Sequence, residues 1–143
     1  MRAKRLQKEI KFLKTNSSED VKLLDTGDNI FNLRIEITGA KDSLYDGEKY
    51  ILQFKYGENY PTESPTVTFV GKVPIHPHIY NVGHICLSIL GDDWSPVLTT
   101  HSVCLSIISM MSSAKIKEPP PNDDTYDLKK PPKSGWLYDD NNA

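Results

Sequence analysis

The first segment of the chain carries apolar residues at a helical period. Ala3, Leu6, Ile10 and Leu13 recur at spacings of three and four residues, which places them on one face of a helix. Most of the remaining positions are cationic, namely Arg2, Lys4, Arg5, Lys8, Lys11 and Lys14. Residues 16–18 are polar and end the pattern. The sequence therefore predicts an amphipathic first helix with a basic exposed face.

Further along, alternation with a period of two replaces the helical period. Every second residue is apolar between residues 31 and 37, and the same alternation returns between residues 50 and 56. Val67 and Phe69 mark a third short strand, and a weak strand lies at residues 21–24. These segments predict an antiparallel meander of four strands.

The helical period returns after Pro96. Val103, Ile107 and Met110 recur at helical spacing, and Thr99 or Thr100 is suited to cap the helix at its start. The stretch between residues 74 and 96 has no regular period. The order is a first helix, a four-stranded meander, an irregular segment, a central helix and a tail, which predicts an α+β fold.

Proline is concentrated at the end of the chain, where five of the ten prolines lie in the last 25 residues. Because proline interrupts helices and the neighbouring residues are polar, we expect a partly mobile tail over residues 118–143, after a core of residues 1–117. A few large side chains in the tail are able to pack back on the core, and they are Tyr126, Leu128, Trp136, Leu137 and Tyr138.

Composition excludes several classes of protein. The 143 residues carry 17 Lys and Arg against 19 Asp and Glu, so the net charge of -2 argues against nucleic acid or an anionic membrane as a partner. Two cysteines are too few for a disulfide scaffold, and no run of about 18 apolar residues is long enough for a membrane span. The basic start is not followed by the apolar stretch of a signal peptide. We expect a reducing compartment, in the cytoplasm and nucleus.

Three kinds of chemistry compete for the irregular segment. His76, His78, His84 and Cys86 are all residue types that bind zinc, although their spacing is not that of a zinc finger. His84 and Cys86 lie two residues apart, so on a strand they would share a face, as a Cys–His hydrolase requires. The third interpretation is a buried structural cysteine. That interpretation suits Cys104, on the apolar face of the central helix, better than Cys86, which lies between turn-forming residues.

An ordered set of motifs indicates a family. It consists of residues 76–77, residues 83–90, the Trp94–Ser95–Pro96 run and residues 105–107, in that order and at matching spacings. The sequence resembles the ubiquitin-conjugating enzymes over about residues 2–117. Within that family it is similar to the W type, which modifies protein N-termini, because His78 stands where most members carry asparagine after the His-Pro pair.

The resemblance implies a role for each motif residue. Cys86 stands where the family carries ubiquitin as a thioester, and His78 replaces the asparagine that supports the oxyanion or the active-site loop. His76 and Pro77 correspond to structural positions, and Trp94 to a wall near the active-site loop. ATP is consumed by the activating enzyme, so no cofactor and no metal are expected.

The nature of the acceptor amine follows from its pKa. An α-amino group has a pKa of about 7.7–8.0 and lysine one of about 10.4, so at about pH 7.2 roughly a fifth of α-amines are neutral, against about one lysine in a thousand. We therefore expect monoubiquitination of substrates with flexible N-termini. By its spacing from Cys86, Glu118 falls where the family places an acidic acceptor-site residue, although the Pro119–Pro121 run departs from the family pattern.

The resemblance also implies partners. These are ubiquitin, the activating enzyme and a RING or U-box ligase. Lys4, Arg5 and Lys8 on the first helix correspond to contacts with the activating enzyme, and Pro61, Thr62, Ser95, Pro96 and Val97 correspond to ligase contacts. Thr62 departs from the aromatic residue of many members. The alternatives are a lysine-directed enzyme, a conjugating enzyme for another ubiquitin-like modifier, and a non-catalytic ubiquitin-binding adaptor.

Overall fold

Two helices and four strands follow each other in the predicted order. A computed structural model describes residues 1–24, 26 and 28–125. The helices are α1 (Arg2–Thr15) and α2 (Thr100–Ser112), and the strands are β1 (Val21–Leu23), β2 (Asn32–Thr38), β3 (Lys49–Lys55) and β4 (Thr66–Val70). Short 3-10 turns lie at Ser88–Leu90 and Asp123–Thr125. The α+β fold predicted from the sequence is confirmed.

The strands form one antiparallel sheet in sequence order. Ile35 of β2 lies opposite Leu23 on one side and Leu52 on the other, and Leu52 lies opposite Phe69 of β4. Ile35 and Leu52 are fully buried, as the period-two pattern predicts for the covered face. Helix α2 contacts β1, β2 and α1, so the core lies between this face of the sheet and the helices.

Helix α2 begins at a capping box. The Thr99 side chain accepts a hydrogen bond from the Ser102 N–H, and the Ser102 hydroxyl accepts one from the Thr99 N–H. Together they satisfy donors that the first turn leaves unpaired, so Thr99 rather than Thr100 is the cap. On the buried face of this helix, Cys104 has no exposed surface, which confirms its prediction as a core residue.

The first residues of the predicted tail lie against the body of the protein. Pro120 is buried, and Asn122 and Asp123 bond to Tyr80 and Asn81. The predicted packing of Tyr126, Leu128, Trp136, Leu137 and Tyr138 lies outside the described residues. Over the part of the chain that is described, none of the helices is both long and apolar enough to cross a membrane.

Candidate active site

A glycine turn brings the cysteine segment against the sheet. Gly83 has a φ of 95°, and its carbonyl accepts a hydrogen bond of 2.9 Å from the Phe69 N–H. A Cβ at this position would lie 2.3 Å from the Phe69 carbonyl oxygen, so only glycine fits here. The next residue, His84, bridges Thr68 of β4, and Ile85 bridges Ile79. The sheet edge and the preceding segment thus fix the backbone that leads to Cys86.

His76 holds this segment together through both nitrogens of its ring. Its Nε2 lies 3.1 Å from the Met110 carbonyl of α2, and its Nδ1 accepts the His78 N–H at 2.9 Å. The two bonds together require the neutral ring with its proton on Nε2. Burial lowers the pKa of His76 to about 4, so the ring stays neutral at pH 7. The geometry gives His76 a structural role, in which it ties the segment to α2.

Cys86 follows this segment and is bonded to it through its main chain. Its N–H donates to the His78 carbonyl at 2.8 Å, and 7% of its surface is exposed, whereas Cys104 has none. Burial raises the pKa of the Cys86 thiol to about 11, and burial lowers the pKa of His84. The resting pair is therefore a neutral thiol and a neutral imidazole. This charge state is the opposite of the thiolate–imidazolium pair of cysteine hydrolases.

The zinc alternative requires a cluster of ligands. Within the described ranges, no three His, Cys, Asp or Glu side chains are placed so that they could hold a metal ion. His76, one of the four candidates, uses its two ring nitrogens for Met110 and His78. The described residues therefore give the zinc alternative no support.

His78 supports Cys86 through its main chain. Its carbonyl receives the Cys86 N–H, while its own N–H is received by His76. The His78 side chain is also buried, with its ring 5.7 Å from that of His76. Pro77, between the two histidines, has a fixed φ and holds His76 in extended geometry. The loop is therefore supported by main-chain bonds, and the proposed oxyanion role of the His78 side chain stays a prediction.

Two residues that sequence reasoning missed reach the turn before Cys86. Asp123 Oδ1 accepts the Asn81 N–H at 2.8 Å, and the Tyr80 hydroxyl donates to Asn122 Oδ1 at 3.2 Å. Glu118, the residue selected by spacing, is exposed, and its acceptor-site role stays a prediction. Asn and Asp after prolines do predict a turn, but their sequence does not reveal which loop the turn contacts.

Helix α1 is bonded to both predicted ligase loops. Arg5 Nε donates to Glu9 at 3.1 Å, and its Nη2 donates to the Pro96 and Leu98 carbonyls at 2.8 and 2.9 Å. Glu9, which is 6% exposed, also accepts the Tyr60 hydroxyl at 2.5 Å and the Thr100 N–H at 2.6 Å. We call Arg5, Glu9, Tyr60 and Thr100 the Glu9 cluster. The Arg5 guanidinium is thus bonded to Glu9 and to the 96–98 loop. Its contact with the activating enzyme stays a prediction.

The remaining predicted contact residues surround this cluster. Trp94 donates its indole N–H to the Pro61 carbonyl at 2.9 Å and lies against the Tyr60 ring, so its indole braces the 60–63 loop. Its proximity to Cys86 stays a prediction. Thr62, Pro96, Val97, Lys4 and Lys8 are exposed, whereas Pro61 and Ser95 are half-buried. Arg5 and Glu9 thus hold both loops beside α1.

Known proteins of one family match this chain over most of its length. A family model described as "Ubiquitin-conjugating enzyme" matches residues 5–135. The probable ubiquitin-conjugating enzyme E2 W of Dictyostelium discoideum is 50% identical over 142 residues, covering 96% of this chain and 95% of that protein. The ubiquitin-conjugating enzyme E2 W of Caenorhabditis elegans is 47% identical over 147 residues, covering 98% and 96%.

A solved structure agrees with these relatives. The crystal structure of the ubiquitin-conjugating enzyme E2 UbcA1 from Agrocybe aegerita superimposes with a TM-score of 0.85 at 41% identity, covering 92% of this chain and 97% of that one. The predicted resemblance is therefore confirmed in sequence and in fold. The chain belongs to the ubiquitin-conjugating enzyme family and is an E2 enzyme that transfers ubiquitin, with a sequence similar to the W type.

Proposed function

We propose that Cys86 accepts ubiquitin from the activating enzyme as a thioester. With the help of a RING or U-box ligase, the enzyme then transfers the ubiquitin to the α-amino group of a substrate. The amine nitrogen attacks the thioester carbonyl, the C–N bond forms, and the C–S bond to Cys86 breaks. The proton released by the amine goes to the departing sulfur. A thioester reacts with amines more readily than an ester does, and this favours sulfur as the carrier.

The observation that carries this proposal is the difference between the two cysteines. Cys86 has an exposed edge beside a turn, whereas Cys104 is enclosed by the core. The raised pKa of Cys86 also fits a thiol that is regenerated in its protonated form after transfer. A high pKa makes the thiolate a stronger nucleophile but a poorer leaving group, so correct positioning of the amine becomes decisive.

The experiment combines the protein with activating enzyme, ATP and ubiquitin. We expect an adduct that a reducing agent removes, and in Cys86→Ser an adduct that resists reduction. Cys104→Ala is the matched control, and we expect it to form the reducible adduct. A reducible adduct that survives in Cys86→Ser would contradict the assignment of Cys86.

The α-amino acceptor is supported by two observations. Residues 113–122 after α2 are irregular, and the first turn of helix beyond them is the short one at Asp123–Thr125. We expect an extended peptide to bind beside this irregular stretch, near Cys86. The α-amino group needs little lowering of its pKa to react near neutral pH, in contrast to lysine.

Two peptides of otherwise identical sequence separate the acceptors. One has a free N-terminus and no lysine, and the other has an acetylated N-terminus and a single lysine. We expect ubiquitin to be transferred to the first peptide alone. If the acetylated peptide were modified as well as the free one, the enzyme would be lysine-directed.

His78 is proposed to support the oxyanion or the loop in place of asparagine. Its buried position, two residues from His76, is compatible with both roles. A comparison of discharge rates between wild type and His78→Asn tests the side chain. A slower discharge with unchanged thioester formation is the expected result, and equal discharge rates would remove the role.

A further inference from the structure

Tyr45 belongs to the connection between β2 and β3 and is fully buried, although connecting segments usually lie at the surface. The chain closes tightly around it. The Glu48 N–H donates to the Tyr45 carbonyl at 2.9 Å, and the Gly39 N–H donates to the Glu48 carbonyl at 2.8 Å. A Cβ at residue 39 would lie 1.9 Å from the Tyr45 carbonyl oxygen, so only glycine fits there. This packing fixes the main chain that carries the Tyr45 side chain.

The Tyr45 side chain contacts the segment that leads to Cys86. Its hydroxyl donates to the Ile75 carbonyl, which belongs to the peptide bond before His76. Its ring lies 6.0 Å from the His76 ring, at an angle of 38° between the ring planes. The His76 ring in turn lies 5.7 Å from the His78 ring, at an angle of 41°. We call these three buried rings, those of Tyr45, His76 and His78, the ring row.

The ring row is connected to Cys86 through main-chain hydrogen bonds. His76 Nδ1 accepts the His78 N–H at 2.9 Å, and the His78 carbonyl accepts the Cys86 N–H at 2.8 Å. The Met110 carbonyl holds the other nitrogen of the His76 ring, whereas the Tyr45 hydroxyl holds the peptide bond that precedes this residue. A shift of that peptide bond would move the His76 ring and, with it, the main chain of His78.

The surroundings of Tyr45 keep its hydroxyl a donor. Burial, with a smaller contribution from Glu48, raises the pKa of Tyr45 to about 12, so the phenol stays protonated at pH 7. Lys117 Nζ lies 4.8 Å from the centre of the Tyr45 ring, and Glu48 Oε2 holds this ammonium at 2.8 Å. Glu48 also accepts the hydroxyl of Tyr50, a second buried tyrosine, at 2.5 Å. The two tyrosines thus differ in their acceptors, since Tyr50 bonds a carboxylate and Tyr45 bonds the segment before Cys86.

We propose that Tyr45 is a positioning residue for ubiquitin transfer, because through His76 it sets the place of His78 beside the main chain of Cys86. The proposal rests on the thioester function and on the role of His78 proposed above. Aminolysis requires the amine and the thioester carbonyl in reacting geometry, and a misplacement of about 1 Å is enough to slow such a step about 100-fold. We therefore expect the Tyr45 hydroxyl to act on discharge of the thioester, and not on its formation.

Tyr45→Phe tests the hydroxyl and keeps the ring in its row. Tyr50→Phe is the matched control, because it also removes one buried phenol hydroxyl but leaves the Ile75 carbonyl with its donor. Urea unfolding of both variants should show comparable losses of stability, so a difference in discharge between them cannot come from stability. The double variant Tyr45→Phe with His78→Asn tests whether the effect passes through the last ring of the row.

The measurement is single-turnover discharge. The enzyme is charged, the activating enzyme is stopped, and loss of the adduct is followed at increasing concentrations of a lysine-free peptide with a free N-terminus. For Tyr45→Phe we expect the maximal rate to fall about fivefold at an unchanged half-saturating peptide concentration, because geometry and not peptide binding is altered. Tyr50→Phe should discharge at the wild-type rate, and both variants should form the thioester as wild type does.

Two further readouts distinguish positioning from general support of the fold. In the His78→Asn background, Tyr45→Phe should slow discharge by less than about twofold, because substitutions within one interacting unit do not add. Hydrogen exchange of the His78 N–H should be faster in Tyr45→Phe than in Tyr50→Phe.

Other outcomes overturn the proposal. Equal discharge rates of Tyr45→Phe and Tyr50→Phe would mean that the Tyr45 hydroxyl has no particular part in transfer. A loss that persists in full in the His78→Asn background would mean that Tyr45 does not act through His78. If formation and discharge of the thioester fall together in Tyr45→Phe, the residue only stabilises the fold. These results defeat the role of Tyr45 alone, whereas a wild-type enzyme without any thioester defeats the function on which that role rests.

Discussion

Buried polar groups are stabilised differently in the Glu9 cluster and in the segment around Cys86. In the Glu9 cluster a buried carboxylate is matched by a guanidinium, a phenol and the first N–H of α2. Around Cys86, the side chains of His76, His84 and the cysteine itself are neutral, and main-chain bonds do most of the holding.

The difference between the Glu9 cluster and the Cys86 segment fits the different roles that we propose for them. Charge-assisted hydrogen bonds are strong and directional, so the Glu9 cluster keeps the 60–63 and 95–98 loops, where ligase contacts are predicted, in one geometry. A fixed charge beside Cys86 would shift the pKa of the thiol and of the incoming amine. The rings of His76 and His84, whose pKa values burial lowers, place no positive charge of their own there.

The largest effect is expected from Glu9→Ala. The substitution leaves the Arg5 guanidinium, the Tyr60 hydroxyl and the Thr100 N–H without their shared acceptor, and loss of one partner of a buried pair costs about 3–5 kcal/mol. Urea unfolding measures the change. Glu63→Ala, at an exposed carboxylate of the adjacent loop, is the control and should change stability by less than about 0.5 kcal/mol. A loss below about 1 kcal/mol for Glu9→Ala would mean that the buried charge is not the hub.

Acid should weaken the Cys86 end first at His76. Its pKa is about 4 in the folded protein, below the ordinary value of 6.5, so the folded state binds fewer protons than the unfolded chain. The stability from the neutral ring is complete above pH 6.5 and is lost as the pH falls through 6.5 toward 4, by up to about 3 kcal/mol.

Two measurements check this loss. Urea unfolding between pH 7 and 4 is compared for wild type and His76→Gln, whose amide does not titrate, and the wild type should lose more stability. The NMR signals of the His76 ring report its protonation directly. A ring that titrates near pH 6.5 in the folded protein would contradict the lowered pKa of His76.

The fold was predictable because its patterns are local. Period-two alternation indicated β2 and β3, and the spacing of Val103 and Ile107 indicated α2. The sequence also limits the N-cap of α2 to Thr99 or Thr100. In the structure Thr99 is the cap, because Ser102, three residues later, completes the capping box with it. Such signals lie within one turn or one strand, where the sequence alone defines the neighbours.

The site was only partly predictable, because its partners are distant in the chain. Glu9 looked like one polar residue on a basic helix, yet it bonds Thr100 from 91 positions away. Asp123 reaches Asn81 across 42 positions, and no period or motif connects them. Spacing from Cys86 selected Glu118, which is exposed, and its acceptor-site role stays a prediction.

The neutral character of the nucleophile itself can be tested by alkylation. With a pKa of about 11 against an ordinary 9.0, the Cys86 thiol should carry about 100-fold less thiolate at pH 7 than a free thiol. We expect the iodoacetamide rate to rise about tenfold per pH unit from 7 to 10. Cys86→Ser supplies the background from Cys104, and glutathione is the reference thiol. A rate that levels off below pH 9 would contradict the raised pKa of Cys86.

The smallest effect is expected from Arg5→Lys. This substitution keeps the positive charge of the Glu9 cluster but removes the planar guanidinium with its several N–H donors. The guanidinium reaches Glu9 and the Pro96 and Leu98 carbonyls at once, whereas a lysine ammonium cannot span all three acceptors. Because the side chain is 26% exposed, water replaces part of the loss, and we expect about 1 kcal/mol in urea unfolding. Lys4→Arg, at an exposed neighbour, is the matched control.

Hydrogen exchange shows where the Arg5→Lys loss falls. The Leu98 N–H, which bonds the Ser95 carbonyl at 3.0 Å, should exchange faster in Arg5→Lys, while the Cys86 N–H should exchange as in wild type. Thioester discharge without a ligase should then be the same in Arg5→Lys as in wild type, because separate sets of hydrogen bonds hold the Glu9 cluster and the Cys86 segment. Faster exchange at both amides would mean that α1 also supports the reacting cysteine, and the separation between the Glu9 cluster and the Cys86 segment would not hold.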